Sequence, residues 1–111
     1  MLKFISLIVF IFTLTFHGYA FAYSQDTGTI SQLYATPGGA IALKLSNGFV
    51  HANETGQCLA NNGFAGLSAT NASAYFKDAL LAAKSFGKQV TVSISGCEGS
   101  WFKISDVYIN N

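Results

Sequence analysis

Arginine is absent from this chain of 111 residues, and charged residues of all kinds make up only 10% of it. A nucleic-acid-binding domain normally carries a basic patch rich in arginine and lysine, so that class of protein is disfavoured. Cysteine occurs only twice, and a single histidine follows residue 22. These are too few ligands for a tetrahedral zinc site, and no glycine-rich phosphate loop follows a strand. We therefore expect neither a metal nor a cofactor.

The first 22 residues have the three parts of a cleavable secretory signal peptide. Lys3 supplies the positive charge, a nearly continuous apolar run of about 13 residues extends from Phe4 to Phe16, and the segment ends in Ala20-Phe21-Ala22. A membrane-spanning helix needs roughly 20 apolar residues, so no stable membrane anchor is expected after cleavage. The sequence predicts a secreted or periplasmic protein that begins near Tyr23.

Residues 23–111 are predicted to form a single small α+β domain. In this part of the chain five lysines balance five carboxylates, so its net charge is close to zero. A domain of about 89 residues buries only a modest share of its surface, so a disulfide or oligomerisation is expected to support it. Cys58 and Cys97 are predicted to form that disulfide, because exported proteins meet an oxidising compartment.

Alternating apolar residues predict strands at both ends of this domain. Strands at residues 28–35 and 40–45 flank the turn sequence Thr36-Pro37-Gly38-Gly39 and predict a β-hairpin. Residues 89–95 and 101–109 predict two further strands, the last with a bulge near Ser105-Asp106. Between these pairs, the segment 49–69 has weak signals and is read as loops around a short strand near residues 57–60.

One helix is predicted from Thr70 to Gly87, with Thr70 or Asn71 as its N-terminal cap. An apolar stripe at helical spacing is expected to face the core; it consists of Tyr75, Phe76, Ala79, Leu80, Ala83 and Phe86. The predicted order is therefore β-β-(β)-α-β-β, with the helix packed across a small, mostly antiparallel sheet.

No arrangement of side chains predicts catalysis. His51 stands alone in the weakly patterned segment, and the carboxylates are too scattered to suggest a paired acid and base. The composition instead suits binding, because amide and hydroxyl groups accompany the tyrosines and Trp101. Trp101 follows the turn after Cys97, where it serves either as a packing residue or as a platform for a ligand.

Two stretches resemble the B subunits of bacterial AB5 toxins, in particular the subtilase cytotoxin and pertussis-like group. They are residues 27–34, Thr-Gly-Thr-Ile-Ser-Gln-Leu-Tyr, and residues 75–92, a helix that ends at Gly87 and leads into a strand. The resemblance implies an oligonucleotide/oligosaccharide-binding (OB) barrel that forms a homo-oligomeric ring and binds glycans on cells. It also implies a sugar site ahead of the first strand, at Asp26 and Thr27.

The sequence thus predicts a non-enzymatic binding module for a cell-surface glycan, with Asp26, Thr27 and Trp101 as candidate ligand-binding residues. The alternative is a periplasmic inhibitor or protein-interaction domain that binds an envelope protein through an exposed strand edge or the segment 49–69. A second alternative is a small secreted hydrolase that uses His51.

Overall fold

In the computed structural model, which describes residues 23–111, five strands close into a ring and two helices lie against it. The strands are β1 (Ser24–Ala35), β2 (Ile41–Leu45), β3 (Ala65–Leu67), β4 (Gln89–Glu98) and β5 (Trp101–Ile109). The helices are α1 (Val50–Glu54), which lies between β2 and β3, and α2 (Ala74–Ser85), which lies between β3 and β4. The predicted signal peptide and its cleavage site lie outside the described residues.

The order of strands around the ring is β1-β2-β3-β5-β4, and β4 pairs with β1 to close it. Every pairing is antiparallel except that of β3 with β5, in which Ala65 lies opposite Phe102 and Gly66 opposite Lys103. The expectation of a small α+β domain with a mostly antiparallel sheet is therefore confirmed. The sheet is mixed, because β3 and β5 are parallel, and the domain has two helices rather than the one that was predicted.

The hairpin of β1 and β2 forms as its turn residues predict. Thr36 accepts a hydrogen bond from the Gly39 N–H at 3.0 Å, and Gly39 has a φ of 112° that favours glycine. β1 is longer than predicted, because it begins at Ser24. Its first half pairs with β4 and its second half with β2, so this strand belongs to both sides of the ring.

The core lies inside the ring and follows from strand alternation. Val90, Val92 and Ile94 on β4 are fully buried, as their spacing predicts. The rings of Phe49 and Phe102 meet at 5.7 Å between centroids and anchor the end of the core next to α1. The bulge predicted near Ser105-Asp106 is also present, because Ser93 pairs with Asp106 and Ile94 with Ile104, which leaves Ser105 without a partner in the ladder.

The segment 49–69 differs from the sequence prediction in two respects. The strand expected near residues 57–60 is absent there, and the third strand is the three-residue β3. Its sequence Ala-Gly-Leu has little preference for strands, so the pairing with β2 and β5 on its two sides specifies it. The second difference is α1, a helix of five residues that sequence patterns did not predict.

The predicted helix is confirmed, but it is shorter than expected. It begins at Ala74, and Ser73 rather than Thr70 or Asn71 caps it, accepting a hydrogen bond from the Phe76 N–H at 3.1 Å. Leu80 and Ala83 of the predicted stripe are buried, and Phe76 packs against the core. Tyr75 and Phe86, by contrast, are 86% and 76% exposed, so the inward face is narrower than the sequence stripe.

Cys58 and Cys97 form the predicted disulfide, with a Cα–Cα distance of 5.0 Å. The bond joins the segment after α1 to the end of β4. Disulfides of this kind form and persist in oxidising environments outside the cytoplasm, so the bond agrees with an extracytoplasmic location. Among the described residues, none of the helices has the length and apolar character needed to cross a membrane.

Candidate functional site

A surface pocket of about 520 Å³ lies where three chain segments meet. Ala40 contributes from the end of the β1–β2 turn, residues 68–71 from the segment after β3, and residues 98–101 from the β4–β5 turn. This volume falls within the range of small-molecule sites in proteins. The functional side chains that line it are Ser68, Asn71, Glu98 and Trp101.

The β4–β5 turn places the two most distinctive side chains of the pocket opposite each other. Glu98 pairs with Trp101 across the two strands, and Gly99 and Ser100 form the two-residue connection. Gly99 has a φ of 65°, as favoured hairpin turns of this length require at their first position. Residues directly opposite in antiparallel strands have Cβ atoms about 4.5–5.5 Å apart, so the carboxylate and the indole line one space.

Trp101 is half-buried, and its ring lies over β3. A Cβ atom at Gly66 would come within 2.7 Å of Trp101 Cε3 and would also collide with the carbonyl oxygen of Ile41. Only glycine therefore allows the indole to lie this close to the strand. Trp101 and Tyr34 also meet edge to face, at 6.0 Å between centroids and an interplanar angle of 76°. These contacts fix the orientation of Trp101.

Glu98 is held by two donors that both bind the same oxygen. Its Oε2 accepts hydrogen bonds from the Ser68 N–H at 2.7 Å and from Asn71 Nδ2 at 3.0 Å. The bond from the Ser68 backbone is the largest cause that lowers the pKa of Glu98 below its usual value, and Asn71 and the charge of Lys103 act in the same direction. The carboxylate is therefore ionised at neutral pH.

Both of these bonds end on Oε2, and the Ser68 hydroxyl is a third hydrogen-bond partner of the carboxylate. A carboxylate has about four lone-pair sites, so Glu98 keeps acceptor capacity after these bonds are made. The pocket thus combines an apolar ring, a carboxylate held in place and the side-chain carbonyl of Asn71. Such a set can stack against an apolar face and accept hydrogen bonds from hydroxyl groups.

Of the three predicted ligand-binding residues, only Trp101 lies in this pocket. Asp26 is buried beside the middle of β4, where it pairs with Val92, and Thr27 pairs with Thr91 next to it. Val92 and Glu98 are six residues apart on one strand, a separation of at most about 20 Å. The structure therefore does not bring Asp26 and Thr27 together with Trp101.

Asp26 and Thr27 are both engaged in contacts within the protein. The two oxygens of Asp26 accept the N–H groups of His51 at 2.9 Å and Ala52 at 3.1 Å, which fixes the first turn of α1. Thr27 shares a hydrogen bond of 2.8 Å with the hydroxyl of Thr91. Asp26 is also only 5% exposed, so a ligand cannot reach its carboxylate, whereas Glu98 lines the pocket.

His51 lies beside Asp26, away from the pocket. Its Nδ1 is 3.0 Å from the carbonyl oxygen of Gln25 and 3.2 Å from Asp26 Oδ1. Both cysteines are in the disulfide, so neither provides a thiol next to this imidazole. Within residues 23–111, no three side chains of the types that bind metals cluster together.

Three side chains of the pocket, Glu98, Asn71 and Ser68, were missed by sequence reasoning. Residues 96–100 predicted a turn, and Asn71 was assigned to a helix cap. The available signal was local: an acidic residue and a tryptophan flank a Gly-Ser pair, which places them opposite each other if a hairpin forms. The contribution of Ser68 and Asn71 depends on the path after β3 and has no comparable signal.

Comparisons with known proteins add no identification of this site. No protein-family model matches the chain, and neither a curated protein nor a solved structure matches it.

Proposed function

We propose that this domain is an OB-fold binding module that takes a glycan in the pocket of Glu98 and Trp101. The OB-fold is a five-stranded Greek-key barrel that binds oligosaccharides or oligonucleotides near its β1–β2 and β4–β5 loops. The order β1-β2-β3-β5-β4, the parallel pair of β3 and β5, and the helix between β3 and β4 support this assignment. The pocket lies between these same two loops.

The single observation that carries the glycan proposal is the pairing of Trp101 with a carboxylate that lines the pocket and keeps acceptor capacity. One face of a sugar ring is rich in C–H groups and packs against an indole, while its hydroxyls donate to acceptors. The Glu98 carboxylate and the amide oxygen of Asn71 supply acceptors beside Trp101. Because Glu98 is ionised, the sugar in the pocket is neutral rather than acidic.

An oligonucleotide is a poorer occupant of this fold. The chain has no arginine, and the domain of residues 23–111 has no excess of positive charge. Binding to a phosphate backbone depends on lysine and arginine that replace its counterions. A carboxylate in the pocket adds repulsion to a phosphate or to an acidic sugar. The ligand class is therefore a neutral sugar at the end of a cell-surface glycan.

The proposal is tested with the full chain, exported to an oxidising compartment, purified and applied to a glycan array. We expect retention of glycans with neutral terminal sugars. Replacing Trp101 by alanine should lower the affinity for the best of them by about tenfold or more, because the stacking surface is lost. The matched control is Tyr108→Ala, another partly exposed aromatic residue on β5, at the far end from the pocket.

Folding of each variant is checked by its thermal transition, so a lower affinity is counted only for folded protein. A chain that retains no glycan, or a Trp101→Ala variant that binds as tightly as Tyr108→Ala, would contradict the proposal.

Exposed apolar side chains on α2 and at its C-terminal cap favour a protein partner as a second function, and a second copy of this chain belongs to that class. Tyr75, Leu81 and Phe86 are 86%, 56% and 76% exposed, although large apolar groups gain by burial. Mass measurement by light scattering tests self-association. A concentration-independent monomer with no partner captured from an envelope fraction would remove this second function.

A further inference from the structure

We infer that the binding site continues beyond the pocket along a track of three aromatic rings, so that its ligand is an oligosaccharide of at least two sugar units. This inference rests on the proposed glycan function of the pocket. The aromatic track consists of Trp101, Tyr34 and Phe64. Trp101 belongs to both the pocket and the aromatic track, because it lines the pocket and its ring meets Tyr34 at 6.0 Å between centroids.

Tyr34 connects Trp101 to the far end of the track. Its ring centroid lies 6.1 Å from that of Phe64, so Phe64 lies within about 12 Å of Trp101. The three residues come from separate parts of the chain: the end of β1, the segment before β3, and the start of β5. Two backbone hydrogen bonds hold the segment before β3 against the start of β5. Phe102 N–H donates to the Phe64 carbonyl, and Asn62 N–H donates to the Ser100 carbonyl.

The rings lie on the outer surface of the closed sheet, where solvent reaches them. Tyr34 is 47% exposed, and Phe64 and Trp101 are half-buried. Packing explains part of this arrangement, because Ala42 lies opposite Tyr34 in the ladder and is fully buried on the outward-facing side of β2. Packing does not explain why part of each ring stays exposed. A row of partly exposed aromatic rings beside a polar pocket is typical of ligand sites.

The shape of the track favours a sugar chain over a flat partner. The interplanar angle is 76° between Tyr34 and Trp101 and 60° between Tyr34 and Phe64, so the rings do not form one plane. Successive sugar units in a chain also change orientation, and each can pack against its own ring. The centroids of Trp101 and Phe64 are at most about 12 Å apart, so a chain of sugar units can contact both rings.

Lys44 gives the far end of the track the opposite polarity to the pocket. Its ammonium lies 4.8 Å from the centroid of the Phe64 ring, where the cation–π attraction holds the ring in place. No carboxylate in residues 23–111 forms an ion pair with this lysine. Its N–H groups can therefore donate to sugar oxygens, whereas Glu98 accepts from sugar hydroxyls at the other end.

The test compares sugars of different length on the purified full chain. The probes are two neutral series of one to four units, galactose to lacto-N-neotetraose and N-acetylglucosamine to chitotetraose, titrated by calorimetry or by the fluorescence of Trp101. In the series that binds, affinity should rise about tenfold or more from one unit to three, because added units reach Tyr34 and Phe64.

The decisive variant is Phe64→Ala, which should remove most of this gain with length while changing the affinity for the single sugar by less than about twofold. Phe64→Leu serves if the alanine variant does not fold, because it keeps apolar volume and removes only the ring. Lys44→Met is expected to reduce the gain partly. Tyr108→Ala, outside the track, should leave the gain unchanged.

The outcomes separate the two proposals. If single sugars bind at the pocket and affinity does not rise with length, or if Phe64→Ala keeps the whole gain, the aromatic track is not a subsite while the proposed function stands. If no glycan binds in either series or on the array, the proposed function fails and this inference fails with it.

Discussion

Two carboxylates beside β4 each accept two N–H hydrogen bonds, yet they differ in whether a ligand can reach them. Asp26, which pairs with Val92 near the middle of β4, uses one oxygen for His51 and the other for Ala52. Glu98, at the end of β4, receives both of its N–H bonds on Oε2. Asp26 is enclosed by the protein, whereas Glu98 lines an open pocket.

The surroundings of the two carboxylates reinforce this difference. Asp26 is only 5% exposed and fixes the first turn of α1, a helix too short to be stable on its own. Glu98 lies at the edge of a pocket beside the indole of Trp101. The first arrangement stabilises the fold, and the second is the one on which the proposed binding depends. The resemblance to toxin B subunits placed the predicted sugar site at Asp26, whereas the geometry of the pocket favours Glu98.

The largest expected effect concerns the disulfide, which links these two regions through Cys58 after α1 and Cys97 next to Glu98. Replacing both cysteines by serine should lower the free energy of unfolding by about 4 kcal/mol, because a cross-link over some 40 residues restricts the unfolded chain. Urea unfolding measures the change, with the oxidised and reduced native protein as the matched pair. A loss below about 1 kcal/mol would show that the bond contributes little.

Local patterns of the sequence predicted much of this fold, and the features that they missed depend on distant contacts. The hairpin turn at residues 36–39 and the bulge at Ser105 depend on neighbouring residues, and the disulfide on the only two cysteines. The helix α1, by contrast, depends on the carboxylate of Asp26, which precedes it by 25 residues. β3 has no strand pattern of its own and exists through its two neighbours.

The candidate site was predicted only through Trp101, for a related reason. Its parts come from residues 40, 68–71 and 98–101, and only the closed ring of strands brings them together. Glu98 resembled an ordinary turn residue because its donors, Ser68 and Asn71, lie 30 and 27 positions away. Whether a carboxylate is enclosed or faces a pocket depends on such contacts and cannot be recognised from residue type alone.

The second expected effect tests the enclosed carboxylate. Asp26→Asn keeps the size of the side chain but turns an amide donor towards one of two buried N–H groups, so the free energy of unfolding should fall by about 2–3 kcal/mol. Urea unfolding checks this value, and Asp106→Asn, at an exposed carboxylate on β5, should change stability by less than about 0.5 kcal/mol.

Glycan binding by the folded Asp26→Asn protein should equal that of the native protein, because Asp26 does not line the pocket and lies beside Val92, six residues from Glu98 along β4. A weakened affinity in folded Asp26→Asn protein, with its stability unchanged, would reverse the roles assigned to the two carboxylates.

The titration of Glu98 is expected to have the smallest effect on stability. It is also expected to make sugar affinity depend on pH. The Ser68 N–H lowers its pKa below the usual value of 4.5, so the ionised form is favoured in the folded state. Its contribution to stability is present above the pKa of the unfolded chain and is lost as pH falls through the lower folded value. Sugar affinity should therefore stay constant from pH 7 to about pH 5 and decline only in more acidic solution.

Glu98→Gln separates this titration from acid unfolding of the rest of the protein. The amide keeps an acceptor for one donor but loses the charge, so affinity for a neutral sugar should fall by about three- to tenfold at pH 7. The acid decline should then vanish over the range in which thermal transitions show the variant folded. Discrimination against acid-capped glycans should weaken as well, because the repelling charge is gone. If Glu98→Gln kept both the acid decline and the preference for neutral sugars, another group would control the pocket, and Glu98 would be a structural carboxylate like Asp26.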